Sequence, residues 1–235
     1  MSDKHISRQF DADLEHLSSR FFEMGGLVES QLANAMEALN RFDMGLVEKV
    51  VDEERRLNAM EVEIDAECSN IIARRQPIAS VLRRLLAFSK GISNLERAGD
   101  EARKIAKRTR RIANDTAGRS MNIAEIRSSG HMAGTIFHNA LAAFARLDSV
   151  EAARIISEDE AIDEQYRAFV RKLPTFMGEN PRIITSALDY VSIASAIERI
   201  GDHAKNLAEL VIYVAKGKDV RHISRDRLEH EALDG

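Results

Sequence analysis

The chain has 235 residues and 26.3 kDa, room for one large domain or two small ones, and either arrangement buries a sizeable core. Its 34 Lys and Arg against 38 Asp and Glu leave a formal charge of -4, so no basic excess marks it as a dedicated nucleic-acid binder. Aromatics are 5 %, with no Trp, 12 Gly and 3 Pro, a composition that favours long helices and sets aside all-β and doubly wound folds.

Apolar residues recur at spacings of three and four, as in Leu82, Leu85, Leu86, Ile92, Leu95, Ala102, Ile105 and Ile112, the period of a helix with one buried stripe. Breakers divide this pattern at Asp43-Met44-Gly45, Pro77, Asn114 to Gly118, Asp148-Ser149, Gly178 to Pro181 and Gly217. Six helices are predicted, near residues 8–41, 46–74, 79–113, 121–147, 150–177 and 182–216, followed by a polar tail from Lys218 to Gly235. The stretch from Ser128 to Ala145 lacks Asp, Glu, Lys and Arg but carries His131, Thr135, His138 and Asn139, so it reads as a buried helix and not a lipid span. Cys68, the single cysteine, permits no intrachain disulfide, and Met1-Ser2-Asp3-Lys4 does not open a secretory leader; a reducing, cytosolic compartment is expected.

The third and sixth predicted helices share a phrase. Glu96-Arg-Ala-Gly-Asp-Glu-Ala-Arg-Lys-Ile-Ala106 returns as Glu198-Arg-Ile-Gly-Asp-His-Ala-Lys-Asn-Leu-Ala208, about half the chain later. The expected architecture is therefore all-α, two tandem antiparallel three-helix bundles over 1–115 and 119–217, related by internal duplication.

Glu96 and Asp100, like Glu198 and Asp202, stand four apart and so stack on one helix face, away from the apolar stripe. A like-charged pair at this spacing costs on the order of 0.2–0.5 kcal/mol, so its recurrence calls for a compensating cation, which Arg103 and Lys205 are placed to supply. The fifth helix adds Asp159 and Asp163, and the corresponding place in the second helix holds Glu54 with Asn58. Oxygen-rich faces of this kind suit Mg²⁺, Mn²⁺ or Fe ions, whereas a closed Zn site wants Cys or several His. The plainer alternative is that the acids pair with Arg and Lys on solvated helices. Gly99 and Gly201, costly inside helices, point to close approach of another helix, a partner or an ion.

Most catalytic signatures are missing. No Glu-x-x-His motif, phosphate-binding loop, His-Glu-x-x-His or Gly-x-Ser-x-Gly occurs, which demotes di-iron oxidation, nucleotide hydrolysis, zincin proteolysis and hydrolase chemistry. Cys68 lies among Ile64, Ile71 and Ile72 and reads as a buried inert thiol. His131 and His138 read as ordinary helix histidines, with His203, beside Asp202, an outside candidate for a metal or pH role. The run Lys104, Lys107, Arg108, Arg110 and Arg111 suits a helix C-terminus and reads as a solvated face, with an acidic partner or anionic lipid as the alternative.

Met60-Glu-Val-Glu-Ile-Asp65, Ile71-Ile-Ala-Arg-Arg-Gln-Pro77, Leu95-Glu-Arg-Ala-Gly-Asp100 and Ile197-Glu-Arg-Ile-Gly-Asp202 together resemble the phosphate-uptake regulator family PhoU across most of the chain. The resemblance implies two tandem three-helix bundles and metal contacts at Glu96, Asp100, Glu198 and Asp202, supported by Asp159, Asp163 and Glu54, with Fe, Zn, Mn or Mg as the ion. Asn58 departs from the paired-acid pattern, so a weaker or different first site is expected. The resemblance also implies a homodimeric, non-enzymatic cytosolic regulator. Such a protein restrains a phosphate ABC transporter, through its ATPase subunit, and a sensor histidine kinase when phosphate is plentiful, and meets the membrane only through these partners. A carboxylate-bridged metalloenzyme and a purely structural scaffold are the alternatives.

Overall fold

In the computed structural model, residues 2–221 and 223 are described, with side chains described from Phe10 onward. The predicted tail beyond Ile223 lies outside them. The helices are α1 (Ser2–Arg41), α2 (Met44–Arg75), α3 (Ala79–Ala113), α4 (Thr116–Arg119), α5 (Ala124–Arg146), α6 (Ser149–Glu158), α7 (Glu160–Glu179) and α8 (Ile184–Lys216), with a 3₁₀ turn at Pro181–Ile183. Among the described residues there is no strand.

Local chemistry sets the ends. The Asp43 carboxylate accepts from the backbone N–H of Gly45 at 2.8 Å and Leu46 at 3.2 Å, and Asp148 accepts from Glu151 at 3.0 Å, each cap satisfying donors that a helix start leaves open. Gly217 ends α8 at φ 73° and returns its N–H to Tyr213 O at 2.9 Å. Gln76 and Leu147 take the same left-handed position without being glycine, at φ 47° and 53°.

Three expectations change in detail. The fourth predicted helix begins only at Ala124, because Asp115 caps the separate α4 through Ala117 N–H and accepts from Ser186 of α8 at 2.5 Å. The fifth is interrupted at Asp159, where the ladder tightens: Ile162 N–H reaches Asp159 O at 3.0 Å while Asp163 N–H reaches it at 3.4 Å. Leu86, placed in the buried stripe by its spacing, is 37 % exposed.

α1, α3, α8 and α5 form the centre, each packed on the next and α5 returning to α1. α2 lies over α1 and α3, while α6 and α7 lie over α5 and α8. The apolar core runs without interruption through both halves. Phe21 of α1 marks the junction, stacked on Phe144 of α5 with centroids 4.9 Å apart and tilted against Phe88 of α3 at 5.0 Å. Burying each ring contributes roughly 1.5–3 kcal/mol. Gly91 makes room for this cluster, since a Cβ there would lie 2.7 Å from the Phe21 ring.

α3 and α8 make the most extensive contact and run antiparallel. Lys90 stands over the Tyr213 ring at 5.6 Å, Asn206 donates to Asn94 at 3.0 Å, Arg199 pairs with Glu101 at 3.0 Å and Arg108 pairs with Asp189 at 2.8 Å. The duplicated phrase is offset by 102 residues, and this contact register maps onto itself under that offset, with Gly99 level with Gly201. Two antiparallel helices exchanged in this way are related by an approximate twofold axis perpendicular to the plane that contains both.

Candidate functional site

Each half places carboxylates where its third long helix meets the outer helix. In the second half, α8 presents Glu198 and Asp202 toward the α6–α7 break, where Asp159 is 5 % exposed. Gly201 admits it: a Cβ on Gly201 would lie 2.7 Å from Asp159 Oδ1 and 2.9 Å from Ile162 Cδ1. The close approach signalled by this glycine is thus that of the outer helix and its acid. Lys205 Nζ sits 3.4 Å from Asp159 Oδ2, and Arg167 sits 3.3 Å from Asp163.

Asp159, Glu198 and Asp202 are raised by burial and by neighbouring carboxylates. Burial pushes Asp159 up to about 6, with Asp202 and Asp163 adding to the rise and Lys205 opposing it. Glu198 is raised first by burial and then by Asp202, Asp163 and Asp159. Asp202 is raised by burial, with Lys205 pulling the other way and Asp163 adding. The four therefore form one electrostatic group. Asp159, Asp163 and Asp202 line an open cleft of about 740 Å³, walled beyond α8 by Val220 and Arg221.

In the first half, Arg103 of α3 bridges the equivalent acids, 2.8 Å from Glu54 and 2.9 Å from Asp100. Glu96 is raised by burial, then by Asp100 and Glu61. Asn58 is exposed. The two clefts thus differ in more than the missing acid, since a guanidinium forks between two carboxylates in one where an ammonium touches a single carboxylate in the other. Gly99 lies against Leu57 and Gln31, whose buried amide has no hydrogen-bond partner in the structure.

The donor chemistry of the second cleft suits a hard or borderline cation: four coupled carboxylates, one of them deeply buried. As the side chains stand, no three His, Cys, Asp or Glu among the described residues converge closely enough to hold an ion. His203 does not join the group. Its Nδ1 lies 3.2 Å from Asn94 Oδ1 across the α3–α8 seam, and burial, with Arg97 adding, lowers its pKa to about 4, so it stays neutral near pH 7. Cys68 is buried and its thiol is pushed up to about 12, which removes it as a nucleophile. His131 and His138 are exposed, the latter 2.7 Å from Glu29. Of the basic run, Lys104 pairs with Glu101, Arg108 and Arg111 with Asp189, and Arg110 with Glu48.

Sequence reasoning missed Arg167 and Arg221 at this cleft. The first was within reach, because aligning Glu54 and Asn58 with Asp159 and Asp163 sets Val62 against Arg167. Arg221 carried no signal, as nothing in its composition tells that the chain turns back along α8 after Gly217.

The PhoU domain family matches twice, over residues 21–109 and 126–211, once in each half. A Burkholderia protein named phosphate-specific transport system accessory protein PhoU homolog is 50 % identical over 234 residues, covering 99 % of this chain and 100 % of its own. The crystal structure of PhoU from Pseudomonas aeruginosa superimposes with a TM-score of 0.86 at 41 % identity, covering 89 % of this chain and 100 % of that one. The phosphate transport system regulatory protein PhoU from Streptococcus pneumoniae gives a TM-score of 0.83 at 26 % identity, covering 90 % and 99 %. With both halves matched and nearly the whole length aligned, the chain belongs to the PhoU family.

Proposed function

We propose that this chain is a cytosolic, non-enzymatic accessory protein of phosphate transport that represses uptake and the phosphate-starvation response when phosphate is plentiful. It does so by docking to the ATPase subunit of a phosphate ABC transporter and to a sensor histidine kinase, as a homodimer. The observation that carries this reading is membership of the family over both halves, with relatives named as accessory and regulatory proteins of phosphate transport. The site supports it: a buried thiol, a neutral seam histidine and open acidic clefts suit binding and not turnover. No helix among the described residues is long and apolar enough to cross a membrane, so contact with a transporter falls to surface docking.

The second cleft is assigned to a divalent or iron-type cation, held by Glu198, Asp202, Asp159 and Asp163. Bound there, the ion supplies the positive charge that the mutually repelling carboxylates lack. The first cleft, with Glu54, Glu96 and Asp100, already holds Arg103 against two of its acids and takes a cation more weakly. Docking controls signalling only through different affinities for two states of a partner.

The test is a pulldown from membranes of phosphate-replete and phosphate-starved cells with wild type and a Glu198→Gln/Asp202→Asn variant, with metal content measured on the purified proteins. Recovery of the ATPase or kinase, strongest in replete cells, and loss of bound metal in the variant support the reading. Absence of both partners in both states refutes the regulatory assignment, and unchanged metal content refutes the site.

A further inference from the structure

Gln31 stands in the core stripe of α1, between Val28 and Ala35, and is fully buried. Neither its Oε1 nor its Nε2 has a hydrogen-bond partner. A core amide left in this way destabilises the fold that holds it. Glu53, one turn before Leu57 on α2, likewise keeps its Oε2 buried and unpartnered. Packing does not call for the amide. Under the offset of 105 residues that sets Asp43 against Asp148 and Glu54 against Asp159, Gln31 answers to Ile136, which is buried and apolar. The same place in the other half thus accepts an aliphatic side chain.

The two glycine gaps show where the amide oxygen lies. A Cβ on Gly201 would meet Asp159 Oδ1 at 2.7 Å, with Ile162 Cδ1 beside it. A Cβ on Gly99 would meet Gln31 Oε1 at 2.9 Å, with Leu57 Cδ2 beside it. Leu57 and Ile162 are counterparts under the offset of 105. Placed against equivalent backbone and beside equivalent neighbours, the Gln31 amide oxygen fills the position of the Asp159 carboxylate oxygen. The sequence counterpart of Asp159 does not. Glu54 is held by Arg103 at 2.8 Å, and its side chain is 18 % exposed against 6 % for Asp159. Gly99 lies in the same turn as Glu96 and Asp100, so the gap that receives the amide opens within the acidic pair of the first cleft.

We propose that Gln31 is the deep ligand of the first cleft, its amide oxygen joining Glu54, Glu96 and Asp100 around a hard divalent cation. The inference rests on the cation reading of the clefts given above and adds a residue from α1, a helix that reading does not use. Side-chain amide oxygens serve such ions as neutral donors. Each half then supplies one buried oxygen beside its glycine, a carboxylate from the α6–α7 break in the second and an amide from α1 in the first. Arg103, which now bridges Glu54 and Asp100, gives them up to the bound ion.

The experiment titrates Mn²⁺ into full-length protein whose second cleft is disabled by Glu198→Gln/Asp202→Asn, read by calorimetry and by loss of the free-ion electron paramagnetic resonance signal. In this background Gln31 is compared with Gln31→Ile, the residue of the second half, and melts in EDTA report folding. Loss of a group that only orients a metal ligand costs ~10–100-fold in affinity, so Gln31→Ile is expected to weaken Mn²⁺ binding by roughly tenfold or more. Its metal-free melting temperature should hold or rise, because an unpaired amide has been removed from the core. With the first cleft disabled instead by Glu96→Gln/Asp100→Asn, Gln31→Ile should leave Mn²⁺ affinity at the second cleft unchanged.

Unchanged affinity at the first cleft overturns the inference and makes the amide a core group or the holder of a buried water, with the cation assignment of that cleft still standing. A lower metal-free melting temperature overturns it as well, since the packing itself would then need the amide. So does an equal loss of affinity at both clefts, which would report a general disturbance of the fold. If the protein with its second cleft disabled binds no Mn²⁺ at all, this inference and the cation assignment of the first cleft fall together, while the second cleft and the docking reading keep their own tests.

Discussion

Asp159→Asn should make the protein more stable at neutral pH. The carboxyl is almost fully buried and raised from 3.8 to about 6, so its folded value stands above its unfolded one. The native state then binds this proton more tightly than the unfolded chain. Stability from protonated Asp159 is fully present below about pH 4 and is lost as pH rises through 6. At about 1.36 kcal/mol per unit, the charged form costs about 3 kcal/mol above that window. The amide removes this cost but leaves Lys205 without its partner, and at 37 % exposure that ammonium stays hydrated, so the loss is below about 1 kcal/mol. Urea unfolding in EDTA, from pH 4 to 7.5, should show the variant gaining about 2 kcal/mol on wild type at pH 7.5 and nothing at pH 4. A difference that stays flat across this range would refute the reasoning, because it would mean that Asp159 does not titrate abnormally in the fold.

Gly91→Ala should destabilise by about 1 kcal/mol, since overpacking against the fixed Phe21 ring costs ~1–3 kcal/mol and helix propensity returns ~1. Gly26→Ala, where nothing lies within 4 Å, should stabilise by about 0.5–1 kcal/mol, and parallel thermal melts compare the two. Arg103→Met frees Glu54 and Asp100, so titration with Mn²⁺ should reveal tighter binding at the first cleft while stability falls by no more than about 1 kcal/mol. Cys68 should resist a thiol reagent at pH 8 in native buffer and react at once in denaturant; rapid native labelling would contradict its burial and raised pKa.

The helical pattern was legible because burial on one side of a helix leaves a 3.6-residue trace that these apolar positions obey. The ends were legible where Asp43, Asp148 and Gly217 supply caps with strong local chemistry. Gln76 and Leu147 show the limit, as left-handed caps with no glycine to announce them. Periodicity also says which face is covered but not by what: Leu86 obeys the stripe and remains exposed, and the continuity of the core across both halves follows from the α3–α8 contact, which no spacing encodes. At the site, the four-residue pairs and the nearby Arg103 and Lys205 were readable. The break at Asp159 was not, because its dihedrals of -57° and -34° are those of a helix and no Gly or Pro marks it.

The central ring of four helices takes two from each half, an arrangement that two identical chains would make as a symmetric dimer. Joining the halves in one polypeptide changes what mutation can do there. In a true homodimer every substitution appears twice, so both clefts must always be alike. Here one cleft keeps Asp163, Lys205 and Arg167 while the other carries Asn58, Arg103 and Val62, and His203 faces the seam where its counterpart is Glu101. Within one chain a symmetric scaffold can thus hold two unlike sites, an arginine forked between two acids in one and an ammonium against a single buried acid in the other, and each is free to change without the other.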